Sequence, residues 1–269
     1  MAQTTITLNN GVKIPQFGLG MYRVKKGDVS ETAVRTALEL GYRHIDTAHI
    51  YGNEASVGKA VRESGIPRDQ IWITSKFFTG DYKDVQAMDK MLERLETDYV
   101  DLVLLHTYSV TWQSGWQLLE QALVEGKTRS IGVSNFNGKL LEDLLNFATV
   151  KPQVLQVELH PYYQQKNLPA LLGPAGTAIE GWYPLGRGNR TLLEEPVFAH
   201  LGKKYGKSNA QIILRWHIQE GTIVFPSSTN PEHLAQNIDI FDFELTDEEM
   251  NQVRAMDKNQ YLNGFGKHE

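Results

Sequence analysis

Eight short apolar segments recur along the chain, each separated from the next by a stretch with helical periodicity, and this alternation limits the fold more than any other feature. The segments are 17–21, 44–46, 71–76, 100–105, 130–133, 154–158, 178–182 and 223–225; helices are predicted between them, among them 139–148, 167–172 and 209–219, with 231–240 after the last. Units this short, with no Pro/Gly/Ser-rich linker, predict an α/β fold in which one closed (β/α)8 TIM barrel occupies a single domain, 1–269, rather than an open doubly wound sheet. Alternating apolar residues around Asn9, Asn10 and Gly11 predict an N-terminal β-hairpin that plugs the barrel bottom. Two extra helices are expected at 195–205 and 246–256, the latter opening with Thr246 and Glu249 at capping-box spacing. The sixth helix slot, 168–176, carries Pro169, Pro174, Gly173 and Gly176, which oppose a long helix.

A net charge of −5 without a dense basic run argues against a nucleic-acid or anionic-membrane partner. No apolar run reaches the roughly 20 residues that span a bilayer, and the first residues lack a secretory pattern, so a cytoplasmic protein, expected as a monomer, is the default. The absence of cysteine removes thiolate nucleophiles and Cys-ligated zinc, and no metal is expected.

In parallel barrels the chemistry sits at the carboxyl ends of the strands. Asp46, Tyr51, Lys76 and His106 all fall at or just beyond the ends of the second, third and fourth predicted strands. Taken singly, each has a duller reading: Asp46 as a turn or cap residue, Tyr51 as packing, Lys76 as a solvated strand end, His106 as a satisfied core histidine. Together they could reduce a carbonyl. Tyr51 would donate a proton, Lys76 would lower the phenol pKa, Asp46 would hold Lys76 charged, and His106 would orient the carbonyl oxygen.

The motifs around these residues are HIDTAHIYGNEASVG at 44–58, ITSK at 73–76, DYVDLVLLH at 98–106, GKTRSIGVSNF at 126–136, QVELHP at 156–161, WYPLGRG at 182–188 and FDFELTDEE at 241–249. Over nearly its full length the chain resembles the aldo-keto reductases, among them bacterial short-loop members of the 2,5-diketo-D-gluconate reductase type. The resemblance implies NAD(P)H-dependent reduction of an aldehyde or ketone, with Asp46, Tyr51, Lys76 and His106 at the family's catalytic positions. It further implies that Ser134, Asn135 and Gln156 hold the nicotinamide carboxamide and that Trp182 stacks on the ring. Leu185, Gly186, Arg187 and Gly188 would form a phosphate-binding loop, and Gly20 and Met21 would contribute to the first cofactor loop. Ser227, Ser228, Thr229, His233 and Asn237 fall in the region that takes the adenosine end.

Many relatives carry a lysine and an arginine there for the 2′-phosphate of NADPH; this chain has Ser227 and His233 instead. NADPH is still the expected cofactor, with a weakened preference and some NADH use. A short loop after His106 and the C-terminal tail predict an open pocket lined by Tyr22, Phe78, His106, Tyr108 and Trp112, suited to short aldehydes, α-dicarbonyls or keto-sugar acids. The alternatives are a nicotinamide-sensing regulatory protein with little turnover, and an isomerase or hydrolase using Asp46, Glu54 or Glu158 as acid and base.

Overall fold

The computed structural model describes residues 4–262. The chain opens with the antiparallel hairpin β1 (Thr5–Thr7) and β2 (Lys13–Pro15). It continues through β3 (Leu19–Gly20), α1 (Asp28–Glu39), β4 (His44–Asp46), α2 (Glu54–Glu63), β5 (Trp72–Phe77), α3 (Ala87–Leu95), β6 (Val100–Leu105) and α4 (Trp112–Val124). The second half comprises β7 (Thr128–Ser134), α5 (Gly138–Phe147), β8 (Val154–Glu158), α6 (Leu168–Leu172), β9 (Ala178–Trp182), α7 (Arg190–Leu193), α8 (Pro196–Tyr205), α9 (Asn209–Gln219), β10 (Ile223–Val224), α10 (Pro231–Ile238) and α11 (Asp247–Arg254).

Strands β3 to β10 form one curled parallel sheet in sequence order, flanked by helices. Its two ends meet: Phe17 forms a parallel bridge with Val224, and Gly18 N–H donates to Val224 O at 2.9 Å. This is consistent with the expected barrel. Parallel strands covered on both faces read as continuous apolar runs, which is why β6, VDLVLL, is buried throughout despite Asp101. The hairpin packs where it was expected. Leu8 and Ile14 form a buried cluster with Trp72, Val154 and Ile223, each the first residue of its strand, and with Leu102 and Leu104 of β6. Asn9 and Asn10 fasten the hairpin by donating to Pro152 O, Ala175 O and Arg129 O.

The expected elements are present with shifted ends: the first strand shrinks to two residues, the fifth lengthens to seven, and the sixth helix is five residues followed by a 3-10 turn at Gly173–Ala175. Among the described residues the extra helices number three rather than two. Asn189 supplies the unexpected one, α7, by accepting Leu192 N–H with its side chain at 2.9 Å and so starting a single turn in what read as a loop. The predicted capping box at Thr246 is formed, each side chain satisfying the other's backbone N–H. No helix of the described residues is long and apolar enough to cross a membrane.

Candidate active site

At the carboxyl ends of the strands a cavity of about 740 Å³ is lined by Asp46, Tyr51, His106, Gln156 and Trp182 among others. Inward-facing residues of adjacent strands meet beneath it. Asp46 ends β4, and Lys76 lies one residue before the end of β5; they are 2% and 0% exposed. The Lys76 ammonium donates to both Asp46 oxygens and to Thr47 O, all at 2.8 Å, so its three hydrogens are taken. A buried lysine without such partners would tend to shed its proton. Burial pushes the Asp46 carboxyl up, against the pull of Lys76 and Gln156.

Tyr51 stands on a 3-10 turn, His49–Tyr51, closed by Gly52 at φ 68°, a left-handed conformation that favours glycine. Asn53 ties this turn to the neighbouring loop: its amide nitrogen donates to Met21 O and Val24 O, and its oxygen accepts from Thr47. His49 pairs with Asp81, which also accepts Phe78 N–H, so the loops bearing Tyr51 and Phe78 are joined. The Tyr51 ring lies 5.2 Å from Lys76 Nζ, 5.5 Å edge-on from His106 and 5.1 Å from Tyr22. The expected lowering of the Tyr51 pKa by Lys76 is not what this arrangement gives. Burial first, then the Asp46 charge, hold the phenol well above its ordinary value. The ammonium's hydrogens all point at other acceptors.

His106 follows β6 directly, and burial together with Lys76 lowers its pKa to about 3, so the ring is neutral at physiological pH. Its Nδ1 is buried without a partner among the described residues. A neutral imidazole still has one N–H to donate.

Ser134, Asn135, Gln156 and Trp182 line the same cavity. Asn135, at φ 61°, donates to His106 O and Ser134 Oγ and accepts from Trp182 Nε1 at 3.0 Å. These bonds fix the indole against the cavity. Gly20 is required where it stands: a Cβ would meet Phe225 O at 2.6 Å, because β3 and the chain after β10 approach closely. Leu185, Arg187, Gly188 and Ser227 line the cavity as well.

Several expected residues lie elsewhere. Trp112 is 7% exposed and packs edge-on against Phe136 and Phe147, since a long side chain in the first helical turn leans back onto the layer beneath it. It belongs to the core, not the pocket wall. Met21 is likewise buried, and Gly186 packs against Leu192. Tyr108, Ser228, Thr229, His233 and Asn237 do not line the cavity; Ser228, Thr229 and His233 are on the loop and first turn around the start of α10, and Asn237 is buried within that helix. The C-terminal tail beyond 262, part of the expected open pocket, lies outside the described residues. Glu54 is a buried partner of Arg94 and Ser75, and Glu158 accepts from His160 and Leu262; neither lines the cavity, so neither serves an acid–base pair there. Sequence reading missed Tyr183 and Arg23, which line the cavity, and Glu180 beneath it.

The family model described as the aldo/keto reductase family matches residues 16–258. Glyoxal reductase of Bacillus subtilis is 42% identical over 95% of this chain and 94% of its own length. A 9,11-endoperoxide prostaglandin H2 reductase of Trypanosoma cruzi is 41% identical over 96% of this chain and 93% of its own. A Bombyx mori aldo-keto reductase solved in complex with NADP superposes with a TM-score of 0.91 at 34% identity, covering 98% of this chain and 96% of that one.

Proposed function

The chain belongs to the aldo/keto reductase family of nicotinamide-dependent oxidoreductases, and from that premise we propose that it reduces small aldehydes and ketones to alcohols, with Tyr51 as proton donor and NADPH as the first choice of cofactor. We read the curled sheet as a closed (β/α)8 barrel forming a single domain. The carrying observation is the buried Lys76–Asp46 pair set directly beside a phenol that faces the cavity.

The residues present fit a nicotinamide dinucleotide: an indole whose N–H is held by Asn135, an amide and a hydroxyl from Gln156 and Ser134, and side-chain-free backbone at Gly20 and Gly188, all lining the cavity. Reduced nicotinamide, when bound, supplies a hydride. The chain's own groups handle the proton. Tyr51 keeps its proton at neutral pH because burial and Asp46 oppose phenolate formation. An alkoxide is a far stronger base than a phenolate, so transfer from Tyr51 to a nascent alkoxide runs downhill even from a raised pKa. Lys76, locked by three hydrogen bonds, keeps a positive charge beside the phenolate left behind. Neutral His106 donates to the carbonyl oxygen and aims it at Tyr51.

Tyr22 and Phe78 give the substrate side an aromatic wall that accommodates short aldehydes, α-dicarbonyls or keto-sugar acids. The kinship with a glyoxal reductase supports the α-dicarbonyls. Ser227 lines the cavity where a charged partner for a 2′-phosphate would otherwise stand, and 225–233 contains no lysine or arginine, which supports a relaxed preference for NADPH over NADH. Following NADPH and NADH oxidation by absorbance across aldehydes, diketones and keto acids tests this. Tight cofactor binding with negligible turnover on every class would replace the reductase reading with a nicotinamide-sensing one.

A further inference from the structure

Glu180 is wholly buried in β9, inside the barrel, and the mechanism above does not use it. Its position is specific. Gln156 in β8 is its direct partner in the parallel ladder, and Gln156 Nε2 lies 2.9 Å from Glu180 Oε2 and 2.9 Å from Asp46 Oδ2. A primary amide nitrogen has two hydrogens, and these two carboxyl groups take both. Rotating the amide by half a turn would set its carbonyl oxygen against Asp46 Oδ2, which is already held as an acceptor by the Lys76 ammonium, so the arrangement fixes which end of Gln156 faces which way. No hydrogen bond among the described residues goes to the side-chain oxygen of Gln156, Oε1, and Gln156 lines the cavity. That oxygen is what Gln156 offers to a ligand.

We infer that Glu180 is a positioning residue for cofactor recognition: with Asp46 it clamps the Gln156 amide so that the carbonyl oxygen faces the cavity as an acceptor for the NH2 of a nicotinamide carboxamide. The inference rests on the proposed function, since it concerns the same site. It also accounts for a buried acid where an apolar residue would pack at lower cost. Glu180 Oε1 has no partner among the described residues, and burial with the nearby Asp46 charge raises the carboxyl pKa to about 8. The side chain therefore acts at neutral pH as a neutral acceptor. Because a neutral carboxyl and a primary amide have nearly the same shape and each offers a carbonyl oxygen, Glu180→Gln should preserve the clamp. Glu180→Leu removes it.

The test is binding rather than turnover. Titration calorimetry with wild type, E180Q and E180L would compare NADP+ with its 3-acetylpyridine analogue, in which a methyl group replaces the carboxamide NH2. Wild type and E180Q should bind NADP+ about fivefold more tightly than the analogue, as expected for one neutral hydrogen bond. In E180L that ratio should fall close to one, with the circular dichroism spectrum unchanged. A ratio in E180L equal to that of wild type would overturn the role of Glu180 while leaving the reductase reading intact, as would E180Q losing the ratio along with E180L. A wild type that binds neither dinucleotide would overturn the cofactor reading and this inference together.

Discussion

Replacing Glu180 by glutamine should flatten the dependence of stability on pH. In the unfolded chain the carboxyl takes its ordinary value of 4.5, whereas the fold raises it to about 8. Between those values the folded state holds a proton that the unfolded state has released, so the unfolded state binds fewer protons and stability falls as pH rises. The contribution is complete below pH 4.5 and is lost progressively up to about pH 8. From the linkage relation the loss amounts to about 3 kcal/mol by pH 7, and about 2 kcal/mol of further separation accumulates between pH 6 and pH 8. An amide does not titrate, so E180Q lacks this slope. Its absolute stability depends also on how the new NH2 is satisfied, and for that reason the difference between pH values is the informative quantity. Urea unfolding at pH 6, 7 and 8, extrapolated linearly to water, would measure it. The gap between E180Q and wild type should widen by about 2 kcal/mol over that range in favour of E180Q. Parallel profiles would mean that Glu180 is ionised in the fold, and the reasoning about its burial would be wrong.

Two further substitutions probe the site from other directions. Lys76→Met should strand the Asp46 carboxyl without its ammonium, lowering stability by about 3 to 5 kcal/mol in urea titration and depressing kcat, since Asp46 loses its counter-charge and its Oδ2 keeps only the Gln156 amide. Ser227→Lys should raise the NADPH-over-NADH preference in kcat/KM by roughly tenfold, the value of one charge-assisted hydrogen bond, read from initial rates with each cofactor; an unchanged ratio would place the 2′-phosphate away from Ser227.

The barrel-like sheet was legible because each strand is an apolar run bounded by turn residues, and strand ends are where such a sheet exposes side chains to a shared cavity. Asp46, Lys76 and His106 could be placed from that rule alone. Glu180 could not, because an acid flanked by Ile179 and Gly181 looks like the outward residue of any half-exposed strand, and only the alignment of β8 with β9 turns it toward Gln156. Asn53 was hidden for a similar reason: its three hydrogen bonds reach two loops whose proximity is a tertiary fact. Trp112 failed in the opposite sense. Its nearness to His106 in sequence pointed to the pocket, yet the start of α4 directs the ring between Phe136 and Phe147. The direction of the Tyr51 shift was also beyond sequence, since proximity of lysine and tyrosine does not reveal that the lysine's hydrogens are already committed.

The account turns on Tyr51 giving up its proton to the substrate oxygen, and Tyr51→Phe tests that directly because it removes only the hydroxyl. Measured by single-turnover absorbance of NADPH with a competent aldehyde, alongside NADPH affinity by fluorescence titration, the variant should bind NADPH within about twofold of wild type and turn over at least about 100-fold more slowly. Turnover within a few fold of wild type, with binding intact, would contradict the assignment.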